Sequence, residues 1–294
     1  MTIYLNGQYL PIEEAKVSVL DRGFIFGDGV YEVIPVYSRK AFRLEEHLRR
    51  LQHSLDGIKL ANPHSNTEWT RIIDELIARN AGEDQYLYLH ITRGVAKRDH
   101  AFPNPPVPPT VFMMSNPLLT PPAELLRSGI SCITAPDNRW LRCDIKAIAL
   151  LPNVLLRQMA VDAGCAETIL IRPESITPDP ITEGAFMTEG AASNIFAVKN
   201  GTLLAPPKDN LMLPGITYDV VLELAAANGI PYEVRRIAAA EVFAADELLL
   251  TSSTKEVLAI TQLDGKPVGS GKPGAMFARL HALYQDFKRD VMRA

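Results

Sequence analysis

The spacing of its strand-like runs limits what this chain can fold into more than any other feature. Residues 194–198 and 202–205 are apolar runs only three residues apart, and residues 247–251 and 257–262 are separated by five. A parallel crossover needs a dozen or more residues, usually a helix, so such close neighbours pair as hairpins and not as βαβ units. Helical patterns occur in both halves all the same. Leu44, Leu48, Leu51 and Leu55 recur at helical spacing and predict an amphipathic helix over 44–56; Trp69, Ile72, Ile73, Leu76 and Ile77 predict another over 68–80. Further helices are expected over 153–163, between Pro152 and Gly164, over 217–228, before Gly229, and over 274–292. Asn6-Gly7 marks a hairpin in 2–10, and 30–37, 86–92 and 111–115 read as strands, as do 166–171 and 232–235. Mixed in this way, the elements predict an α+β fold in preference to a doubly wound one.

A chain of 294 residues has room for two domains. The proline-marked stretch 116–122 reads as a stiff linker, which predicts an N-terminal α/β domain over 1–117 and a C-terminal α+β domain over 123–294. A net charge of -4 argues against nucleic acid as a partner. The start lacks a basic segment followed by an apolar one, and no run approaches the roughly 20 apolar residues of a membrane span, so a cytoplasmic location is expected. Cys132, Cys143 and Cys165 form no CxxC pair, and the six histidines show no ligand spacing; reduced thiols and no protein-bound metal are expected.

Chemistry enters with Lys146, which heads an apolar run: from Ile145 to Leu156 no other residue carries a formal charge. Burying an ammonium is costly and pushes its pKa down, which suits an amine that must attack a carbonyl. Pyridoxal phosphate (PLP) is the commonest biological reason to keep such a lysine. The plainer alternative is a strand-end lysine whose amine reaches solvent.

A PLP enzyme also needs an anion site, an acid for the pyridine nitrogen and a site for the substrate carboxylate. Leu213-Pro214-Gly215-Ile216-Thr217 leads into a helix whose unpaired N–H groups would face an anion, although Thr217 read alone is equally an N-cap. Thr251-Ser252-Ser253-Thr254 adds hydroxyls, or a plain turn. Arg50 lies beside the inward stripe of its helix, where a guanidinium can fork an anion or coat a surface. Glu189 precedes Gly190-Ala191-Ala192-Ser193, small residues that let a ring approach, and is otherwise an ordinary loop glutamate. Arg98 and His100 sit in a basic loop that either binds a carboxylate or is simply solvated.

Taken together, Gly27 through Glu32, Glu46 through Leu51, Arg98-Asp99-His100, Arg139 through Lys146, Glu189 through Phe196, Gly215-Ile216-Thr217 and Thr251 through Thr254 resemble, in this order, the fold-type IV PLP-dependent aminotransferases, most nearly their D-amino acid (D-alanine) branch. The resemblance covers nearly the whole chain. It implies a two-domain α+β fold with PLP at the domain interface, and transamination between a D-amino acid of the D-alanine or D-glutamate type and 2-oxoglutarate or pyruvate. A branched-chain L-amino acid aminotransferase and an aminodeoxychorismate lyase share the fold and are the alternatives.

Position by position, Lys146 matches the lysine that holds PLP and shuttles the proton, and Glu189 the acid at the ring nitrogen. Arg50, Ile216, Thr217 and Ser253 match phosphate contacts, and Leu213 the residue packed on the ring. Tyr31, Arg98 and His100 match the trap for the substrate carboxylate, the last two supplied by the other subunit of a homodimer. The stretch between Arg172 and Glu189 is longer than the family pattern and repeats Thr-Glu-Gly-Ala at 182–185 and 188–191, which makes Glu183 the runner-up for the nitrogen partner.

Overall fold

The computed structural model describes residues 1–173 and 184–294. Two compact units emerge: Met1–Leu119 with Ile145–Leu150 and Val291–Ala294, and Thr120–Asp144 with Leu151–Asp290.

In the first unit, β1 (Thr2–Leu5) and β2 (Gln8–Pro11) form the expected hairpin, with Asn6 and Gly7 both at positive φ. A short helix α1 (Arg22–Phe26) precedes β3 (Gly29–Tyr37) and β4 (Lys40–Ala41). Helices α2 (Leu44–Gly57) and α3 (Asn66–Arg79) lead to β5 (Gln85–Thr92) and β6 (Thr110–Pro117). The six strands pair antiparallel in the order β2-β1-β6-β5-β3-β4. Leu48, Leu51 and Leu55 of α2 and the Trp69–Ile77 stripe of α3 share one core with Ile34, Leu87 and Leu89 of the sheet.

The lysine stretch belongs to this unit because its backbone lies against β3. Ile148 N–H donates to the Gly29 carbonyl (3.1 Å), Tyr31 N–H donates to the Lys146 carbonyl (2.9 Å), and Ala147 bridges Val30. It is not a regular strand. Ala147 N–H turns back to the Ile145 carbonyl and Leu150 N–H to that of Ile148, and two such tight turns interrupt a ladder. Gly29 is what lets the chains meet: a Cβ there would sit 2.3 Å from the Ile91 carbonyl oxygen and 2.9 Å from Ile148 Cδ1.

The second unit opens with α4 (Ala123–Ser128) and β7 (Ile130–Pro136), continues through α5 (Leu151–Asp162), β8 (Glu167–Arg172) and β9 (Phe186–Gly190), and then forms β10 (Asn194–Lys199) and β11 (Thr202–Ala205). Helix α6 (Ile216–Ala227) is followed by β12 (Tyr232–Val234), β13 (Ile237–Ala238) and α7 (Ala239–Phe243). A hairpin of β14 (Glu247–Ser252) and β15 (Glu256–Leu263), the short β16 (Lys266–Pro267) and α8 (Ala275–Phe287) complete it; α8 runs on as a π-helical segment, Lys288–Met292, whose last two residues belong to the first unit.

Among the described residues these ten strands make one mixed sheet. The close pairs β10–β11 and β14–β15 are antiparallel, as their spacing requires. Two parallel crossovers, β7–α5–β8 and β11–α6–β12, are exceptions to the expectation that strands lie too close for βαβ units throughout. The α+β class stands.

Candidate active site

Lys146 is only 8% exposed, which removes the alternative in which its amine reaches solvent from a strand end. Its backbone N–H donates to Ser54 Oγ of α2 (3.1 Å), and its Nζ lies 4.1 Å from the centroid of the Tyr31 ring on β3. Next to Tyr31, Glu32 is fully buried and spans Arg50 with both oxygens, at 2.8 Å from Nε and 2.7 Å from Nη2. His47, one helical turn before Arg50, is 2.9 Å from Glu32 through Nδ1. Burial opposes ionisation of Glu32, but Arg50 and His47 hold its carboxyl far below the usual carboxylate range. An ionised carboxylate only accepts, so Nδ1 of His47 carries the proton. Burial in turn pushes the His47 pKa down and keeps the ring neutral, leaving Nε2 a buried acceptor without a partner among the described residues.

The loop with Arg98 and His100 is anchored from beneath while both side chains stay exposed. Arg22 donates to the carbonyls of Asp99 (2.5 Å) and Ala101 (3.2 Å) and shares Asp28 with Arg93. The Arg98 guanidinium and the His100 ring both lie against Phe26, at 5.4 and 5.3 Å. Among the described residues no hydrogen bond, ion pair or ring contact links Arg98 or His100 to Tyr31 or Lys146 of the same chain. The structure thus sets Lys146 against Tyr31 and Arg50 on the neighbouring Glu32, and gives Arg98 and His100 no such link to Tyr31 or Lys146 among the described residues.

In the second unit Glu189 stands on β9, not in a loop, and is 4% exposed. Arg139 Nη1 donates to its Oε1 (2.5 Å), the Leu213 N–H to the same oxygen (3.2 Å), and Asn194 Nδ2 to Oε2 (3.1 Å). Burial nevertheless prevails over Arg139 and pushes the Glu189 carboxyl up to about 7. Arg139 is itself clasped by both oxygens of Asp137, at 2.9 Å each, and Asp137 also accepts from Thr188 (2.7 Å). Glu183 lies outside the described residues.

Ile216 and Thr217 are the first two residues of α6, and Gly215 is the N-cap without a side-chain cap. Thr217 is therefore not the cap, and the first-turn N–H groups await an acceptor. Gly215 is required by space: a Cβ would lie 2.0 Å from Asn194 Oδ1. Ser253 sits in the turn between β14 and β15, two residues after Thr251, whose hydroxyl is buried without a partner among the described residues.

Sequence reasoning assigned no role to Glu32, His47, Asp137 or Arg139. Glu32 left a signal, a lone acid inside the apolar run Val30–Pro35, with His47 and Arg50 three apart on the following helix. No group of side chains suited to a metal ion occurs among the described residues.

Residues 29–263 match the Amino-transferase class IV family. The chain belongs to that family. This aminotransferase is 38% identical to a D-alanine aminotransferase of Bacillus licheniformis, over 97% of this chain and 96% of that protein. It is 36% identical to the D-alanine aminotransferase of Staphylococcus epidermidis over 97% of each. A branched-chain amino acid aminotransferase from T.th., solved with pyridoxamine 5'-phosphate, superposes with a TM-score of 0.88 at 27% identity, covering 100% of this chain and 95% of the other. The aminotransferase thus has the fold-type IV architecture expected of it.

Proposed function

We infer that this class IV aminotransferase uses PLP to exchange an amino group between a D-amino acid, of the D-alanine or D-glutamate type, and a 2-oxo acid such as 2-oxoglutarate or pyruvate. The observation that carries the reading is the near full-length likeness to two D-alanine aminotransferases. The likeness to branched-chain enzymes is lower in identity and makes an L-amino acid the second reading.

The residues present fit the cofactor. A carboxylate has about four acceptor positions and Glu189 has three filled by donors, so one remains for a protonated ring nitrogen. The first turn of α6 offers N–H donors and the positive end of a helix dipole to a phosphate. Bound PLP supplies the electron sink that allows the Cα–H bond of an amino acid to break.

In this reading Lys146 holds the cofactor and its Nζ moves the Cα proton, general acid–base help that is typically worth about 10² to 10⁴ in rate. Glu189, kept in place by Arg139, Asn194 and the Leu213 N–H, faces the ring nitrogen, and the Leu213 side chain packs on the ring. Arg50, Ile216, Thr217 and Ser253 bind the phosphate, Arg50 being oriented by Glu32. Tyr31 receives the substrate carboxylate together with Arg98 and His100 of a second copy.

A homodimer follows from this assignment, and the exposed apolar side chains of Val19 and Phe24 in the first unit and of Leu151, Val154 and Leu155 on α5 support it. The free cysteines Cys132, Cys143 and Cys165 accord with a reducing compartment, and we place the enzyme in the cytoplasm. Among the described residues no helix is long and apolar enough to cross a membrane.

The test is spectroscopic. D-Alanine should convert the cofactor absorbance of the purified enzyme to that of the aminated form, with L-alanine, L-leucine and aminodeoxychorismate far slower, and Lys146→Ala should abolish the conversion. Faster conversion by L-leucine than by D-alanine would overturn the assignment of substrate.

A further inference from the structure

The first residue after the turn between β14 and β15 is a glutamate in a backbone conformation that favours glycine. Ser252 pairs with Glu256 across three residues, Ser253-Thr254-Lys255. A left-handed backbone is a conformation disfavoured for any side chain with a Cβ. Here Glu256 adopts it, at φ +57°.

Its side chain gives the reason. Glu256 is 4% exposed and accepts hydrogen bonds from Gln285 Nε2 of α8 (2.7 Å) and from Lys288 Nζ in the π-helical continuation (2.5 Å). The preceding residue, Lys255, reaches Oε2 of the buried Glu167 on β8 at 3.6 Å, and that oxygen also accepts from Ser193 Oγ (3.0 Å). The last residue of the turn and the one that follows it are thus tied to separate parts of the unit. Ser253 lies two residues before Lys255.

We propose that Glu256 is a positioning residue for the cofactor phosphate: clamped by Lys288 and Gln285, it fixes the turn that presents Ser253 to the anion. This rests on the reading of Ser253 as a phosphate contact. Two physical effects act together. A turn that is ordered beforehand loses less conformational freedom when the phosphate arrives, so more of the contact energy appears as affinity. An acid three residues from a dianion would also repel it, and Lys288 cancels that charge.

The full-length protein, stripped of cofactor, would be titrated separately with PLP and with pyridoxal, which lacks the phosphate, following the absorbance of bound cofactor and the thermal midpoint. Glu256→Gly removes the carboxylate while glycine keeps φ +57° without strain, and Gln285→Ala removes one donor as a milder variant. We expect Glu256→Gly to weaken PLP about tenfold, equivalent to ~1.4 kcal/mol, and Gln285→Ala to weaken it less, with pyridoxal affinity unchanged in both. Ser253→Asp, which sets a negative charge on the turn itself, should weaken PLP and spare pyridoxal. If Glu256→Gly and Gln285→Ala bind PLP as the parent does while Ser253→Asp loses it, the positioning role is overturned and the phosphate site stands. If Ser253→Asp leaves PLP affinity intact, both fall. Equal losses of PLP and pyridoxal in Glu256→Gly reduce Glu256 to a structural part of the fold and also overturn the proposal.

Discussion

Burial sets the charge of Glu189 more strongly than the arginine beside it, and this has a measurable sign. The folded carboxyl keeps its proton up to about pH 7, whereas an unfolded glutamate loses it near 4.5. In that window the folded chain binds the extra proton, so the cofactor-free protein loses stability as pH rises from 4.5 to 7, by up to ~3 kcal/mol from this group. Glu32, Asp28 and Asp137 act in the opposite sense, since their arginine partners lower their pKa values and their stabilisation is present at higher pH. Urea melts of parent and Glu189→Gln across about pH 4.5 to 8 separate the two. The difference between them should slope with pH, and a pH-independent difference would contradict the assigned protonation. Lys146 and Glu189 stand out in the sequence because each departs from its local context, a charge in an apolar run and an acid before four small residues. Arg139 does not stand out. Its partner Glu189 lies 50 residues on, and a local reading cannot distinguish a buried ion pair from surface charge.

Elements were legible where their periodicity was long or their turn chemistry explicit. The α2 and α3 stripes, the alternation of β5 and the Asn6-Gly7 hairpin all appear where the sequence puts them. Short elements were not: α4, α7 and β13 span six residues or fewer, too few for a repeat to show. β9 was missed for another reason. It is buried along its whole length, so no polar-out alternation marks it, and its two polar residues, Thr188 and Glu189, are satisfied by Asp137 and Arg139 from elsewhere in the chain. The start of α6 is the element on which this network leans. Asn194 fits against Gly215 and donates to both Glu189 and the Leu213 carbonyl (3.0 Å). Gly215→Ala should displace Asn194, destabilise the protein by about 1–3 kcal/mol as in other overpacked sites, and weaken PLP binding. Thermal melts and cofactor titration check this, and an unchanged melt would show that α6 shifts freely.

The α+β class follows from strand spacing alone; of the two parallel crossovers, β7–α5–β8 is hidden because no pattern marks β7, while the strand, helix and strand of β11–α6–β12 each show in the sequence but not their parallel pairing. On the proposed reading, subunit composition is the property of the whole molecule that matters most for activity. Within one chain no hydrogen bond, ion pair or ring contact joins Arg98 or His100 to Tyr31 or Lys146 among the described residues, and the apolar side chains of Phe24 and Leu155 are 74% and 59% exposed. A symmetric dimer would cover apolar surface on both copies at once and lets each chain complete the other's carboxylate site. Arg98→Ala and Lys146→Ala should each be inactive alone. When equal amounts are dissociated and reassociated at random, half the dimers are mixed, and each mixed dimer concentrates both defects in one site and leaves the other whole, so about one quarter of the parent activity should return. Were Arg98 to serve the Lys146 of its own chain, every site in the mixture would carry one defect. Mixed dimers verified by differential tagging that show no recovered turnover would therefore rule out the shared site, whatever the oligomeric state.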